Sequence, residues 1–127
     1  MGLESIPESI KYLKNLKKLD ISDNNVEQLP EMIGELENLE ELNADWVKFD
    51  TFPESMKNIK VPKKLDFSES GLKSLPESIG NLTHLQELLL KHNQIVKLPY
   101  SLYEITSLRK LDASNNRIGR VSKNIRD

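Results

Sequence analysis

Apolar and polar residues recur along the chain with a period of 23 residues. The first position of the repeating unit is occupied by Leu16, Leu39, Pro62, Leu85 and Leu108. Position four is Leu in every unit and position six is always apolar, with a position between them that is polar in every unit except the one containing Leu89. This alternation predicts a short β-strand with one buried face.

The second half of each unit predicts one short helical turn, because apolar residues such as Ile79 and Leu82 fall three apart. A proline begins this segment in four units, and Ser122 takes its place in the fifth. Proline at a helix start loses no hydrogen bond, since its N–H would be unpaired there. The acidic residues next to the prolines complement the positive end of the turn, and they are Glu31, Glu54 and Glu77.

A strand, a turn and a short helical segment in 23 residues make one coil, which buries its apolar side only by stacking on neighbouring coils. The sequence therefore predicts an α/β solenoid formed by one domain over residues 1–127. We divide it into a partial repeat over 1–15 and repeats one to five over 16–38, 39–61, 62–84, 85–107 and 108–127. Five strands spaced about 4.8 Å apart give a sheet roughly 19 Å across.

These positions resemble the leucine-rich repeat family, and in particular its 23-residue intracellular, Ras-group-like subclass, which is also common in bacteria. The resemblance covers nearly the whole chain. It implies a right-handed horseshoe with a short parallel β-sheet on the concave face and short helical or 3-10 turns on the convex face. It also implies protein binding without catalysis, and the intracellular subclass favours a cytoplasmic location, which the residues themselves leave unknown.

The asparagine ladder of that family, in which buried amides pair with the backbone of neighbouring coils, matches Asn24, Asn93 and Asn116. Repeats two and three depart from it, because they have Val47 and Ser70 at that position. Valine cannot form these hydrogen bonds, so the backbone near Val47 needs water, another side chain or a shifted loop.

Composition narrows the possible functions. The formal net charge is -2, so no global basic field exists to attract nucleic acid or a membrane surface. The chain has no cysteine, which excludes disulfides and thiolate metal sites. We find no catalytic spacing around His84 and His92, and no phosphate-binding loop. We therefore expect no enzyme activity, metal or cofactor, and a partner that is neither nucleic acid nor membrane.

The predicted inner face has two parts. Positions two and three alternate in charge from strand to strand, beginning with Lys17-Lys18 and Glu40-Glu41, which favours a ladder of neutralised pairs over an ionic docking strip. Position five is polar except at Leu89, and its carboxylates could receive a basic partner residue. Positions seven and eight, read here as strand positions facing solvent, contain Trp46, the only tryptophan.

Trp46 has two interpretations: an exposed aromatic anchor for a partner, or a filler that covers the Val47 turn and the space left by Ala44. His92 is interpreted as a simple contact residue. The predicted partner-binding residues are Asp45, Trp46, Glu69, Leu89, Lys91, His92 and Asn115.

The leading functional hypothesis is a protein-interaction module, in a scaffold or regulatory role, that binds a protein or peptide on its concave face. The alternatives are a structural repeat that self-associates through its ends, since neither end has a recognisable cap, and a regulatory fragment of a larger signalling protein. On the outer side, Tyr100 and Tyr103 lie three apart and form either an exposed aromatic pair or a packing contact.

Overall fold

The computed structural model describes residues 8–24, 31–49, 51–52, 54, 56 and 59–118. Within these residues one five-stranded parallel sheet runs in the order β1-β2-β3-β4-β5. Its strands are β1 (Lys18–Asp20), β2 (Glu41–Asn43), β3 (Lys64–Asp66), β4 (Glu87–Leu89) and β5 (Lys110–Asp112). Neighbouring strands pair residues 23 apart, as at Lys18 and Glu41. The solenoid expected from the period is confirmed.

Short 3-10 turns form the convex side opposite the sheet. They span Glu8–Tyr12, Glu31–Glu35, Glu77–Asn81 and Tyr100–Glu104. Pro76 and Pro99 precede the last two in extended conformation, with φ of -76° and -70°, as expected for residues that begin a turn without donating a hydrogen bond. The predicted helical segments of repeats one, three and four are therefore confirmed as short 3-10 turns, and that of repeat five lies outside the described residues.

The core lies between the sheet and these turns. The position-four leucines Leu42, Leu65 and Leu88 are at most 1% exposed. Beside the fully buried Ala44, the rings of Phe49 and Phe52 pack against Phe67, with centroids 5.8 and 4.9 Å away. Large side chains thus compensate for the small one in repeat two, which keeps the interior closely packed.

The asparagine ladder links the coils where asparagine is present. The Asn93 amide donates to the carbonyl oxygen of Phe67 at 2.9 Å, and its oxygen accepts from the N–H groups of Ser70 and Leu72. Asn116 repeats this pattern one coil later, donating to Leu90 at 2.7 Å. Each amide therefore connects the backbone of two coils, through buried groups at Asn93 and partly buried groups at Asn116.

Ser70 and Val47 interrupt that ladder in different ways. The Ser70 hydroxyl donates to the Ala44 carbonyl at 3.3 Å, which preserves the link to the preceding coil. Val47 is fully buried, and its own N–H donates to the Ala44 carbonyl within the same turn at 3.2 Å. The Ser70 hydroxyl thus supplies a contact from another side chain to the backbone of this turn, as one of the three possibilities predicted.

The convex turns approach most closely at Gly80. A Cβ atom at this residue would lie 2.6 Å from the Cβ of Ser101 and 3.0 Å from its carbonyl oxygen. The two tyrosines predicted on the outer side have different environments, because Tyr103 packs against the core while Tyr100 is 64% exposed. In the part of the chain that the structure describes, no helix has the length and apolar character needed to cross a bilayer.

Candidate functional site

Every strand ends in a turn with the same left-handed residue at position eight. These residues have φ between 55° and 66°, and they are Asp23, Trp46, Glu69, His92 and Asn115. The strands themselves end at position five, so the prediction that positions seven and eight are strand positions is wrong. A left-handed residue cannot continue an extended strand. The column contains Asp, His and Asn, residues enriched in this conformation, and that signal was present in the sequence.

Hydrogen bonding between coils nevertheless continues through these turns. The backbone N–H of Trp46 donates to the carbonyl of Ser68 at 3.0 Å, and that of Glu69 donates to Lys91 at 2.9 Å. His92 donates in the same way to Ser114. Positions five, seven and eight of all five repeats therefore form one ordered surface at the carboxyl ends of the strands, which we call the carboxyl-end row.

Position five has a structural task in this row. Asp66 accepts a hydrogen bond from the N–H of Ser68 at 3.0 Å, and Asn43 serves Asp45 in the same way. Asp20 and Asp112 bind both the N–H and the hydroxyl of the serine two residues later, and these hydrogen bonds lower the pKa of both carboxyl groups. The carboxylates that could receive a basic partner residue therefore already accept hydrogen bonds that stabilise the turn.

Leu89 breaks this column, and a side chain from the preceding coil compensates. The N–H of Lys91, two residues after Leu89, donates to the Ser68 hydroxyl at 3.1 Å. Ser68 is only 7% exposed. Repeat four thus keeps its turn without a position-five acceptor, and the half-buried Leu89 presents an apolar side chain between Asp66 and Asp112, its partners in the sheet. The sequence analysis did not identify the role of Ser68.

Asp45 lies in the most strongly acidic part of the row. Burial raises the pKa of its carboxyl group, and the negative charges of Asp66, Glu69 and Asp23 raise it further, while Lys91 opposes them. The fold therefore brings together three of the predicted residues, Asp45, Glu69 and Lys91. Asp66 and Asp23 were not among the predicted partner-binding residues, but the fold brings them close enough to raise the pKa of Asp45.

Trp46 lies on the surface, next in sequence to Asp45. Its side chain is 51% exposed, and the Lys48 ammonium lies 5.8 Å from the ring centroid. The space beside Ala44 is occupied by Phe49, Phe52 and Phe67. The geometry therefore corresponds to the exposed aromatic of the first interpretation, with the filling role taken by the phenylalanines.

His92 and Asn115 form a second pair along the row. Both are exposed, and His92 Nε2 lies 3.4 Å from the Asn115 side-chain nitrogen. Trp46 and His92 occupy position eight of repeats two and four, which are separated by two strand spacings, about 10 Å. In the described residues no group of three His, Cys, Asp or Glu side chains is arranged to hold a metal ion.

The amino ends of the strands behave as the charge alternation predicts. Lys18 and Glu41 form an ion pair of 3.7 Å across β1 and β2, and Lys63 and Glu40 form one of 3.6 Å between neighbouring coils. All four side chains are at least one-third exposed, so each pair contributes only a few tenths of a kcal/mol. The ion pairs in this half of the face thus align neighbouring strands.

Two family models match the chain. The model described as "Leucine rich repeat" covers residues 63–118, and "Leucine Rich Repeat" covers 15–36. The strand register and the asparagine contacts follow the same period. The chain belongs to the leucine-rich repeat family. The 23-residue subclass remains a prediction, and no curated protein sequence matches the chain.

Solved leucine-rich repeat structures are similar over 91% of this chain. A leucine-rich repeat protein of Leptospira interrogans has 31% identity and a TM-score of 0.79. The plant peptide hormone receptor RGFR1, in complex with RGF2, has 30% sequence identity and a TM-score of 0.73. TLR13, in complex with ssRNA13, has 29% sequence identity and a TM-score of 0.80. This chain spans only 30%, 19% and 17% of those three chains.

The leucine-rich repeat coils also form a half-open pocket of about 420 Å³. It lies between repeats two and three, and the buried side chains of Phe52, Met56 and Ile79 contribute to its lining. None of the seven predicted partner-binding residues lines it. The pocket and the carboxyl-end row are therefore separate features of this leucine-rich repeat domain.

Proposed function

We propose that this chain is a protein-interaction module, with a scaffold or regulatory role, that binds a protein or peptide along the carboxyl-end row. The observation that carries the proposal is the exposure of Trp46 beside a core that is filled without it. An exposed tryptophan offers a large contact area at a small cost in side-chain entropy, as interface anchors do. The contacting residues are Asp45, Trp46, Glu69, Leu89, Lys91, His92 and Asn115.

Repeat four supports the same surface. An Asp or Asn at position 89 would serve the turn as in the other four repeats, yet the chain has leucine there and relies on Ser68. Local departures of this kind are common at functional sites. Leu89 and Trp46 thus supply two apolar contacts in an otherwise polar row, which is the arrangement of anchors within a polar rim.

The similar structures support a peptide or protein partner without identifying it. RGFR1 was solved in complex with RGF2, and the ectodomain of the Arabidopsis thaliana receptor kinase GASSHO1/SCHENGEN3 in complex with CASPARIAN STRIP INTEGRITY FACTOR 2. The TLR13 complex contains single-stranded RNA, so this fold alone does not exclude nucleic acid. The acidic carboxyl-end row of this chain favours a partner other than RNA, because it repels phosphate groups.

Peptide selection tests the proposal. Dodecapeptides are selected from a random display library on the wild-type chain, and their affinities are measured by fluorescence anisotropy with wild type, Trp46→Ala, His92→Ala and Tyr100→Ala. Tyr100 is a matched control, because it is exposed on the convex side and has Lys97 5.9 Å from its ring centroid. We expect Trp46→Ala to weaken binding at least about tenfold and His92→Ala less.

Tyr100→Ala should leave the affinity unchanged, and thermal unfolding followed by circular dichroism should show that all three variants are folded. Equal affinity for wild type and Trp46→Ala, or an equal loss on Tyr100→Ala, would contradict binding along the carboxyl-end row.

A structural, self-associating role is the second candidate. Leu108 and Leu111 are only half-buried, whereas Leu85 and Leu88, which precede them by one repeat, are fully buried. A second copy packed against β5 would cover them. Mass measurement across a dilution series tests this role, and a chain that stays monomeric at its highest soluble concentration excludes it.

A further inference from the structure

Charge is distributed unevenly over the concave sheet face. Positions two and three contain six basic and three acidic residues, which interleave between strands. The carboxyl-end row instead contains one basic residue, Lys91, against six acids. These acids are Asp20, Asp23, Asp45, Asp66, Glu69 and Asp112. Since the whole chain has a net charge of only -2, the negative charge is concentrated around the exposed Trp46 and the half-buried Leu89.

The middle of this row contains repulsion that no ion pair relieves. Three ion pairs occur in the described part of the chain, and all of them involve Lys18, Lys60 or Lys63. None reaches Asp45, Asp66 or Glu69. Lys48, the lysine closest in sequence to Asp45, lies over the Trp46 ring. A cation placed beside Asp45 would therefore also be attracted by the charges of Asp66 and Glu69, which Lys91 offsets only in part.

The dimensions of the row suit an extended chain that runs across the strands. Five strands span about 19 Å, which an extended segment covers in about six residues, with side chains on one side about 6.8 Å apart. Trp46 and Leu89 are two strand spacings apart, about 10 Å. Cationic side chains directed at Asp45 and Glu69 and apolar ones directed at Trp46 or Leu89 can thus come from one segment of this length.

We infer that the carboxyl-end row docks an extended, positively charged polypeptide segment that carries both Lys or Arg and apolar side chains. The inference rests on the proposed function and adds the chemical class of the partner. Charge complementarity decides between the two classes of macromolecule known to occupy similar folds. Six carboxylates favour Lys and Arg and repel a phosphate backbone.

The test compares two pairs of charge-neutralising substitutions. The first pair, Asp45→Asn with Glu69→Gln, removes two charges from the row. The control pair, Glu77→Gln with Glu104→Gln, removes two charges from exposed residues of the convex turns. Dodecapeptides selected on the wild-type chain are sequenced, and representative fluorescein-labelled peptides are titrated with each variant at 50 and 300 mM NaCl. A uridine dodecamer is titrated in parallel.

We expect the selected peptides to be enriched in Lys and Arg relative to the starting library. Their affinity should fall about tenfold on the row pair, stay within twofold on the control pair, and weaken with salt in the wild-type chain. The uridine dodecamer should not bind.

The failures of the two proposals are distinguishable. Selected peptides without basic enrichment, or unchanged affinity on the row pair, overturn the cationic inference, while a loss on Trp46→Ala preserves the docking surface. Peptides that bind Trp46→Ala as tightly as wild type overturn both. Tighter binding of the uridine dodecamer than of any selected peptide overturns the assignment to a polypeptide.

Discussion

Repeats two and four hold the same turn by different means. In repeat four, Asn93 links the backbone of two coils, because its amide bonds Phe67, Ser70 and Leu72 of repeat three and Leu90 of its own repeat. In repeat two, Val47 occupies the same position and makes no side-chain hydrogen bond, yet the preceding residue has nearly the same backbone conformation. The φ angle is 66° at Trp46 and 55° at His92.

This comparison separates two contributions to the fold. The left-handed turn is imposed by the stack, because the backbone hydrogen bonds from position eight to the next coil occur in both repeats. Asparagine adds satisfied polar links between coils, whereas repeat two relies on apolar burial around Phe67. Substitutions in the two repeats should therefore act through different mechanisms, and their expected effects decrease in the order given below.

Phe67→Ala should have the largest effect. The ring is fully buried and contacts both Phe49 and Phe52, so its removal leaves a cavity below repeat two and lowers the free energy of unfolding by about 4 kcal/mol. Urea unfolding measures the loss. Phe67→Leu is the control and should cost about 1.5 kcal/mol or less. An Ala cost no larger than the Leu cost would refute the dependence of repeat two on aromatic packing.

Asn93→Ala tests the polar links of repeat four. It leaves the buried N–H groups of Ser70 and Leu72 without their acceptor and the Phe67 carbonyl without its donor, so we expect a loss of about 3 kcal/mol. Asn116→Ala should cost about half as much, because its environment is only partly buried. Equal unfolding midpoints for Asn93→Ala and wild type would show that Val47-type packing suffices everywhere.

Ser68→Ala tests the compensation for Leu89. The N–H of Lys91 loses its acceptor, which should lower the free energy of unfolding by about 1 kcal/mol. In a Leu89→Asp background a carboxylate is available to this N–H, as at the other position-five residues, and Ser68→Ala should cost only about 0.3 kcal/mol. A double-mutant cycle in urea measures the coupling. Additive effects of Ser68→Ala and Leu89→Asp on the free energy of unfolding would mean that the two positions do not serve the same N–H group.

Trp46→Gly separates stability from binding in repeat two. Glycine adopts the left-handed conformation without strain, and about half of the Trp46 side chain is exposed, so we expect the relief of backbone strain to outweigh the lost contacts and stability to rise by about 0.5 kcal/mol. Trp46→Val should lower stability by about 1 kcal/mol, because a β-branched residue is disfavoured at positive φ. Melting temperatures of the two variants should therefore lie on opposite sides of wild type. Melting temperatures that shift in the same direction in both variants would contradict the conformational argument.

The pH dependence of Asp45 and Asp112 should differ in sign. The pKa of Asp45 is raised, mainly by burial, so its unfavourable contribution grows as the pH rises from 3.8 through the folded pKa. Asp45→Asn should stabilise the fold at pH 7 and not at pH 3. The pKa of Asp112 is lowered, chiefly by the Ser114 hydroxyl, so its stabilisation is present above pH 3.8 and is lost at lower pH.

Asp112→Asn should therefore lower the melting temperature at pH 7 and change it little at low pH. Both effects are a few tenths of a kcal/mol, because the groups are near the surface. Melting temperatures at pH 7 and pH 3 check both substitutions together. Shifts of the same sign at pH 7 would mean that burial and like charges do not dominate at Asp45.

The sequence by itself determined the coil and its stacking. Position-four leucines and position-fifteen prolines recur every 23 residues, so strands, convex turns, the parallel register and the alternating Lys and Glu pairs could all be written from the pattern. The same pattern placed Leu89 and Trp46 on the exposed side of the coil. Periodicity is sufficient for these features because each depends on the residue's place within one unit.

The tertiary structure decided what depends on contacts between units. Ser68 accepts hydrogen bonds from Trp46 and from Lys91, and acidic residues of neighbouring coils surround Asp45. Phe67 packs against Phe49 and Phe52, a contact between neighbouring coils that no single repeat reveals. Local pattern selects the coil, but only stacking shows which polar groups are satisfied and which side chains face the solvent.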